Sequence, residues 1–402
     1  MRKYLFTLII WFTTVAFANG KIQQDSVPSD DSIRISLLTC GSGEEVYSLF
    51  GHTAIRYEHP LRGIDIVFNY GIFNFNTPNF IWRFTLGETD YLLGIYPYKR
   101  FETEYLLSNR EVWQQELNLS NIEKKRLLSF LEENYLPENR QYRYNFLYDN
   151  CATRPFNQIE KALYNPLIYA QDMSDINTGK SFRKLIHQYT EGSLWVRLGI
   201  DFCLGSQADK PINRRQMMFA PFYLMDYFST AQISDNGIAI KPLVKETKQL
   251  VSSNKEHQQK VAYIFTPSHV FWLLFLIVFM ISCYGVIRQK SLWGIDAVLF
   301  TSAGIIGCII TFLVLFSKHP AVTPNYLLFV FHPFHLLCLP CIIIPTMKGK
   351  ISYYLMANLL ILTLFIVLWH IIPQKFNVAI LPLTLCLLIR SISNLAITIL
   401  KR

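Results

Sequence analysis

The sequence predicts an α+β domain that is exported across a membrane, followed by an all-α domain of five transmembrane helices. Three observations support this fold class. The chain begins like a secretory signal, the segment at 33–70 alternates between apolar and polar residues as strands do, and residues 266–402 hold five apolar segments. Hydrophobic residues make up 51% of the chain and the mean hydropathy is +0.22, which is high for a soluble protein.

The basic charge of the chain lies mainly in its membrane half. The formal net charge is +9. Residues 266–402 contain nine Lys and Arg against Asp296 alone, and residues 1–18 contain two more, which leaves residues 19–265 slightly acidic. A nucleic-acid-binding domain carries its basic residues in a clustered surface. The distribution therefore argues against nucleic acid as a partner.

Residues 1–18 predict a secretory signal peptide. Arg2 and Lys3 precede an apolar run that ends in Ala16-Phe17-Ala18, a small-x-small cleavage pattern. The alternative is an uncleaved anchor, but a run of about 14 residues is short for a membrane span. We therefore expect cleavage after Ala18 and an exported domain over residues 19–265, which begins with a flexible lead-in.

Three strands are expected near the start of the exported domain. Apolar residues alternate over 33–38, 52–57 and 65–70, and the turn at 59–63 makes the last two a hairpin. The pattern predicts a small antiparallel sheet.

The rest of the exported domain predicts helices joined by loops. Ser120 and Glu123 form the pattern of a capping box, which predicts a helix to about residue 135. Residues 71–110 are expected to form loops and short elements. The polar residues 231–260 are expected to form a linker into the membrane.

Cys151 is the candidate nucleophile. It lies in the stretch YDNCATR, behind two residues that favour helix starts. A thiolate near a helix N-terminus is stabilised by unpaired backbone N–H groups and by the helix dipole, and such N–H groups could also form an oxyanion hole. Since Pro155 is tolerated only in the first turn of a helix, Cys151 lies either in that turn or in the loop entering it.

His52 is the candidate base, about a hundred residues before the thiol. If the hairpin turn is centred as expected, either Asn69 or Tyr70 comes opposite His52, close enough to hydrogen-bond with the imidazole. We choose Asn69 as the orienting group and keep Tyr70 as its competitor. A cysteine, a histidine and an orienting amide form the papain-like catalytic arrangement. His59 is expected at the surface, and His187 is a second candidate base.

The exported domain holds three cysteines, Cys40, Cys151 and Cys203, so at least one is free in an oxidising compartment. Cys40 and Cys203 lack base or helix-start chemistry nearby, and we expect that this pair could form a disulfide and leave Cys151 as the thiol. No clustered Cys and His spacing indicates zinc and no glycine-rich phosphate loop is present, so we expect neither a metal nor a cofactor.

Five apolar segments of near 20 residues predict five membrane spans. The loops on one side carry six basic residues and those on the other carry two, which obeys the positive-inside rule and places the membrane domain in an inner membrane. The predicted spans cover about 268–287, 295–316, 326–345, 351–372 and 376–400.

The third predicted span contains two histidines, His332 and His335, beside Pro333. Ionisable groups within a span usually face a cavity or a partner, which makes both histidines candidate substrate-binding residues. The alternative is a pair of interfacial histidines beside a proline kink.

Three stretches resemble the motifs of the Lnb family, the bacterial lipoprotein N-acyltransferases with a periplasmic domain before transmembrane helices. They are GEEVYSLFGHTAIR at 43–56, FNYG at 68–71 and NCATR at 150–154. The resemblance covers nearly the whole mature chain. It implies a papain-like, circularly permuted NlpC-type domain, in which the histidine precedes the cysteine.

The resemblance also implies an activity and its partners. Cys151 matches the nucleophile and His52 the general base, while Tyr70, Asn150 and Arg154 fall in the same motifs and are candidate substrate-binding residues. The implied acyl donor is a membrane phospholipid, and the implied acceptor is the N-terminal amine of a diacylated lipoprotein. Two alternatives stay open: a cell-wall cysteine peptidase, and a non-enzymatic module that binds an envelope protein and keeps the thiol and imidazole apart.

Overall fold

The computed structural model describes residues 32–73, 77–253 and 265–401. The predicted signal peptide at 1–18 and almost all of the expected lead-in lie outside the described residues. The predicted α+β domain and the helical domain that follows it are both present.

A seven-stranded antiparallel sheet forms the centre of the N-terminal domain. The ten strands are β1 (Arg34–Cys40), β2 (His52–His59), β3 (Ile64–Ile72), β4 (Asp90–Pro97), β5 (Val112–Leu117), β6 (Gln141–Arg143), β7 (Leu167–Ile168), β8 (Gln232–Asp235), β9 (Ile238–Pro242) and β10 (Val244–Val251). The main sheet has the order β10-β5-β1-β2-β3-β4-β6, and β7, β8 and β9 form a separate three-stranded sheet. The expected small sheet is therefore larger than predicted.

The hairpin predicted from residues 52–70 is confirmed. β2 and β3 pair antiparallel with Ile55 opposite Phe68. A short 3₁₀ turn over Pro60–Arg62 joins them, and Gly63 ends it with a φ of 62°, a left-handed conformation that glycine adopts without strain. The hairpin places the start of β2 next to the end of β3, at the same end of these two central strands.

The helices of the N-terminal domain cover both faces of the main sheet. They are α1 (Phe80–Thr85), α2 (Tyr98–Leu107), α3 (Asn121–Tyr135), α4 (Thr153–Ala162), α5 (Phe182–Tyr189), α6 (Leu194–Cys203), α7 (Arg214–Met217) and α8 (Pro221–Thr230). The capping box at Ser120 and Glu123 is confirmed. One face of the sheet packs against α3, α4 and α8 through a core that includes Leu37 and Phe156, and the other packs against α2 through Phe101.

Two expectations about irregular segments are wrong. Residues 71–110 contain β4 and α2, and residues 231–260 contain β8, β9 and β10. β10 lies at the edge of the main sheet, where its outer side faces solvent, so its polar sequence VKETKQLV suits the position although it resembles a linker.

The described residues of the membrane domain form six helices. They are α9 (Pro267–Ile287), α10 (Trp293–Phe316), α11 (Phe334–Leu337), α12 (Leu339–Met347), α13 (Tyr353–Val367) and α14 (Ile380–Leu400). Among the described residues, α9, α10 and α14 are long and apolar enough to cross a membrane. The helix α13 has 15 residues and is shorter than its predicted span.

The third predicted span, 326–345, is not one continuous helix. A 3₁₀ turn over Tyr326–Phe329 leads into α11, and the segment bends by 68° before α12. Pro333 and Pro340 lie at the starts of α11 and α12, where a proline lacks no helical hydrogen bond. The predicted span is therefore divided into separate helices at these two prolines.

Loops between the membrane helices hold the N-terminal domain by hydrogen bonds. Asn325 Nδ2 donates to the Phe202 carbonyl at 2.8 Å, and Gln374 Nε2 donates to the Leu204 carbonyl at 3.1 Å. Asn377 Nδ2 donates at 2.9 Å to Asp201, whose other carboxylate oxygen accepts from Arg183. The end of α6 is thus fixed to the membrane domain by buried polar contacts.

A buried ion pair joins three membrane helices. Arg390 on α14 donates two hydrogen bonds to Asp296 on α10, at 2.6 and 3.0 Å, and a third to Ser282 on α9. Asn394 donates to the same carboxylate at 2.8 Å. Both charged side chains are fully buried. In a low-dielectric interior such charges are stable only together.

Replacing one charge of this pair should therefore destabilise the membrane domain. We expect Asp296→Leu to lose about 3–5 kcal/mol, because it leaves the Arg390 guanidinium buried without a counterion. The double variant Asp296→Leu with Arg390→Met should recover most of the loss. Thermal unfolding in detergent micelles measures both, and the exposed pair Glu88–Lys318 supplies a control in which Glu88→Gln changes little. Equal stability of Asp296→Leu and the wild type would contradict this account.

Candidate active site

Cys151 lies in a turn directly before α4, which is the second of the two placements that the sequence left open. The Asn150 side chain fixes this turn. Its Oδ1 accepts from the backbone N–H groups of Ala152 and Thr153, at 2.8 and 2.9 Å, and its Nδ2 donates to two backbone carbonyls. Asn150 therefore holds the residue after the thiol, and its amide is already fully hydrogen-bonded within the protein.

His52 is the first residue of β2, and its ring is held by Asn69. The imidazole Nε2 and Asn69 Oδ1 lie 2.5 Å apart. Since this amide oxygen only accepts, the contact places the ring proton on Nε2 and leaves Nδ1 as the ring nitrogen available to the thiol. Asn69 Nδ2 in turn donates to the hydroxyl of Tyr96. The amide thus fixes both the tautomer and the orientation of the imidazole.

The strand register explains why Asn69 rather than Tyr70 reaches the imidazole. Ile55 opposes Phe68, so Asn69 comes opposite Ala54 and lies diagonally from His52 on the same face of the sheet. Tyr70 points to the other face, where it is fully buried in the core. No hydrogen-bond partner of its hydroxyl is found among the described residues.

The structure places the Cys151 side chain beside the His52 imidazole, where each is the main electrostatic partner of the other. The backbone N–H groups of Cys151 and Thr53 also favour a thiolate at this position. Both side chains lie against Gly71, which has a φ of 95°, a conformation that favours glycine. A Cβ added there would lie 3.4 Å from the Cys151 Cβ and 3.8 Å from the His52 Cε1, in ordinary van der Waals contact with both.

The surroundings favour the ionised form of this pair. Burial alone would raise the pKa of the Cys151 thiol, but the His52 charge and the hydrogen bonds from His52 and two backbone N–H groups outweigh burial and lower it. Burial would lower the pKa of His52, yet the neighbouring thiolate and the Asn69 hydrogen bond raise it. Both shifts favour a thiolate beside an imidazolium, which is the reactive state of a cysteine nucleophile.

Arg154 lies beside the site, but its guanidinium is engaged within the protein. It donates two hydrogen bonds to Asp149, at 2.7 and 2.8 Å, and stacks 3.5 Å above the ring of Tyr142. Tyr144, which sequence reasoning missed, lies beside the Cys151 side chain, since both lie against Gly71. No motif marks Tyr144 in the sequence. The substrate-binding roles expected for Tyr70, Asn150 and Arg154 stay predictions.

His332 and His335 make their described contacts inside the membrane domain. Their rings stack with centroids 3.9 Å apart. His335 is fully buried, with Nε2 at 2.9 Å from the Val330 carbonyl and Nδ1 at 2.9 Å from the Tyr354 hydroxyl. Both hydrogen-bonding positions of His335 are therefore occupied. A substrate-binding role for the two histidines stays a prediction.

Two expectations about other residues of this domain are wrong. Cys40 and Cys203 are both free thiols, because Cys40 is buried on β1 while Cys203 is exposed at the end of α6. His59 is 2% exposed rather than a surface residue, since it ends β2 against Ser32. His187 bonds to Asp201 at 2.8 Å and is thereby engaged in the contact with the membrane domain.

Over the described ranges 32–73, 77–253 and 265–401, no group of three or more His, Cys, Asp or Glu side chains is arranged to hold a metal ion.

The fold and the site together define a membrane-anchored protein whose exported α+β domain presents a paired thiol and imidazole. Comparison with protein families identifies its kind. Residues 23–187 match the Lnb N-terminal periplasmic domain, and residues 256–402 match the Lnb transmembrane domain, in a family whose name specifies five transmembrane helices. The chain belongs to the Lnb family, whose members are lipoprotein N-acyltransferases. No match was found among curated proteins or among solved structures.

The family match confirms two predictions from the sequence. The resemblance to Lnb proteins is confirmed, as is a periplasmic N-terminal domain followed by multiple transmembrane helices. The mixed α+β domain with an antiparallel sheet is also confirmed. The papain-like, permuted NlpC-type fold stays a prediction.

The lowered pKa of Cys151 predicts its reactivity. Because the thiolate persists below the usual pKa of a thiol, a small alkylating reagent should modify Cys151 at neutral pH. In the variant His52→Ala, the imidazolium no longer opposes the effect of burial on the Cys151 thiol. The pKa of Cys151 should therefore rise, and its alkylation at neutral pH should slow by at least about tenfold. Mass spectrometry of the Cys151 peptide across pH measures the rate. His59→Ala, at the other end of β2, is the control, and an unchanged pH profile in His52→Ala would refute the pairing.

Proposed function

We propose that this protein moves an acyl chain from a membrane phospholipid to the N-terminal amine of a diacylated lipoprotein, through a thioester on Cys151. The observation that carries the proposal is the buried contact between the Cys151 thiol and the His52 imidazole, in a domain attached to membrane-spanning helices. Such a pair supplies both a nucleophile and a proton carrier. The non-enzymatic alternative, an envelope-binding module, predicts that the two groups lie apart, and the closeness of the two side chains supports an enzyme instead.

In the first step the Cys151 thiolate attacks an ester carbonyl of the phospholipid. The C–S bond forms as the carbonyl oxygen takes the negative charge. Collapse of this tetrahedral intermediate breaks the ester C–O bond, and the departing lyso-lipid oxygen takes the proton from the His52 imidazolium. The products are a lyso-lipid, an acyl thioester on Cys151 and a neutral imidazole.

In the second step the free α-amine of diacylglyceryl-cysteine attacks the thioester carbonyl. The neutral His52 takes one proton from this nitrogen, the C–S bond breaks, and the Cys151 thiolate leaves. The amide of a triacylated lipoprotein results, and the thiolate–imidazolium pair is restored. The same imidazole thus gives a proton in the first step and receives one in the second.

Backbone groups at the site supply candidates for the oxyanion hole. The N–H groups of Ala152 and Thr153 are occupied by Asn150, so they are not free to stabilise an oxyanion. The N–H groups of Cys151 and Thr53 favour the thiolate form of Cys151 instead. We therefore assign the oxyanion to these two donors.

Cells that depend on this protein test the proposed function. We expect Cys151→Ala and His52→Ala to abolish the third acyl chain, because each removes a group that both steps need. Asn69→Ala should slow the transfer by about 10²-fold, since it frees the imidazole to rotate. Intact-mass analysis of an endogenous lipoprotein gives the number of acyl chains.

Controls separate a chemical defect from a folding defect. Cys203→Ala should leave triacylation unchanged, because Cys203 lies on α6, away from the thiol–imidazole contact. Continued triacylation in Cys151→Ala would contradict the proposed function. A cell-wall peptidase would instead cleave muropeptides and would carry no fatty acyl group on Cys151.

A further inference from the structure

A row of aromatic rings leads away from the thiol. Tyr144 lies beside Cys151 against Gly71, and its ring stacks on Tyr91 with centroids 4.1 Å apart. Tyr91 lies 5.1 Å from Phe73, and Phe73 stacks on Phe80 at 5.9 Å. We call Tyr144, Tyr91, Phe73 and Phe80 the aromatic row. It joins the candidate active site to the first residue of α1.

The helix α1 continues this path to a membrane helix. Phe84 lies 6.1 Å from Phe80, and Trp82 packs on Phe312 of α10 with centroids 5.1 Å apart. Backbone contacts fix the end of α1 beside the end of α10, because the N–H of Lys318 donates to the Leu86 carbonyl at 2.8 Å. The row and α1 thus form a continuous apolar path between the thiol and a transmembrane helix.

The position of Phe312 sets the depth of α1. α10 ends at Phe316, so Phe312 lies one turn, about 6 Å, inside the end of a membrane-spanning helix. A ring packed on Phe312 therefore lies at the level of the lipid headgroups and the first acyl carbons. Tryptophan is enriched at this depth in membrane proteins.

The outer side of α1 is apolar and uncovered. Ile81 is 81% exposed, Trp82 57% and Phe84 48%. Three large apolar side chains on a six-residue helix form a surface that is unfavourable in water and favourable at a bilayer interface. Because this surface continues from the membrane domain, its occupant is the outer leaflet of the same membrane.

A cleft of about 140 Å³ lies beneath α1. Its lining includes the apolar Ile72, Phe73 and Phe80, together with Arg83, which is paired with Asp90 of the same cleft at 2.7 Å. Ile72 and Phe73 directly follow Gly71, the residue that adjoins the thiol and the imidazole. The volume admits only part of an acyl chain, so the cleft extends the apolar path toward the thiol but does not enclose a lipid.

We propose that α1 is seated in the outer leaflet, and that the aromatic row lines the route by which an acyl chain of the donor phospholipid passes from the bilayer to Cys151. The chemical identity of this ligand rests on the proposed function. The seating of α1 in lipid does not, so the two can fail separately.

Thioester formation in proteoliposomes tests the route. The full-length protein is supplied either with vesicles of long-chain phosphatidylethanolamine or with a water-soluble short-chain acyl thioester, and intact mass measures acylation of Cys151. Ile81→Glu should slow acylation from the vesicle lipid by about tenfold or more, because a carboxylate is disfavoured at this depth. Acylation from the soluble donor should be unchanged, since the thiol and imidazole are untouched.

The matched control is Leu61→Glu. Leu61 is 61% exposed in the turn between β2 and β3, at the sheet end opposite His52, and this variant should match the wild type with both donors. Equal rates for Ile81→Glu and Leu61→Glu with vesicle lipid would overturn the inference, and so would an equal loss with both donors. A wild type that forms no thioester with either donor would overturn the proposed function instead.

Photo-crosslinking tests the seating of α1 without any turnover. Benzoylphenylalanine is introduced in place of Ile81 or, as the control, in place of Leu61, and membranes are irradiated. We expect phospholipid adducts at position 81 and none at position 61. Absence of lipid adducts at position 81 would overturn the membrane seating of α1.

Discussion

The electrostatic pairing of the Cys151 thiol with the His52 imidazole is the interaction on which the site depends. The two residues come from different parts of the chain, so tertiary structure must bring them together. Gly71 lies against both side chains, and Asn150 fixes the turn that carries the sulfur. Asn69 fixes the ring from the other side. A buried thiol would otherwise stay protonated, so the reactive form depends on the imidazolium beside it.

The attachment of the N-terminal domain to the membrane helices gives this thiol access to lipid. The end of α6 is held by Asn325, Gln374 and Asn377 of the membrane loops, and α1 is held against α10. These two attachments lie on different elements of the domain, which limits its rotation relative to the bilayer. In the proposed reaction both substrates are lipid-anchored, so a fixed orientation keeps the thiol in reach of the membrane surface.

Much of this arrangement could be predicted from the sequence, because local patterns carry it. The alternation of apolar and polar residues predicted the hairpin. The position of its turn limited the hydrogen-bond partner of His52 to Asn69 or Tyr70. The choice between them depended on the register, since neighbouring residues of a strand point to opposite faces. The edge strand β10 was not predicted, because its polar sequence resembles that of a linker. The break in the third span was not predicted either, because prolines within an apolar run do not show whether a span bends or breaks. The aromatic row could not be foreseen at all, since Phe73, Tyr91 and Tyr144 come from separate segments.

A pulse–chase experiment with a donor phospholipid that carries a labelled acyl chain tests the central claim most directly. The purified protein is exposed to this lipid, and the Cys151 peptide is then analysed before and after a diacylated lipopeptide is added. The account predicts a hydroxylamine-sensitive label on Cys151 that disappears as an equal amount of amide-linked label arises on the lipopeptide. Label that reaches the lipopeptide without ever occupying Cys151, or that remains on Cys151 after the acceptor is added, would contradict it.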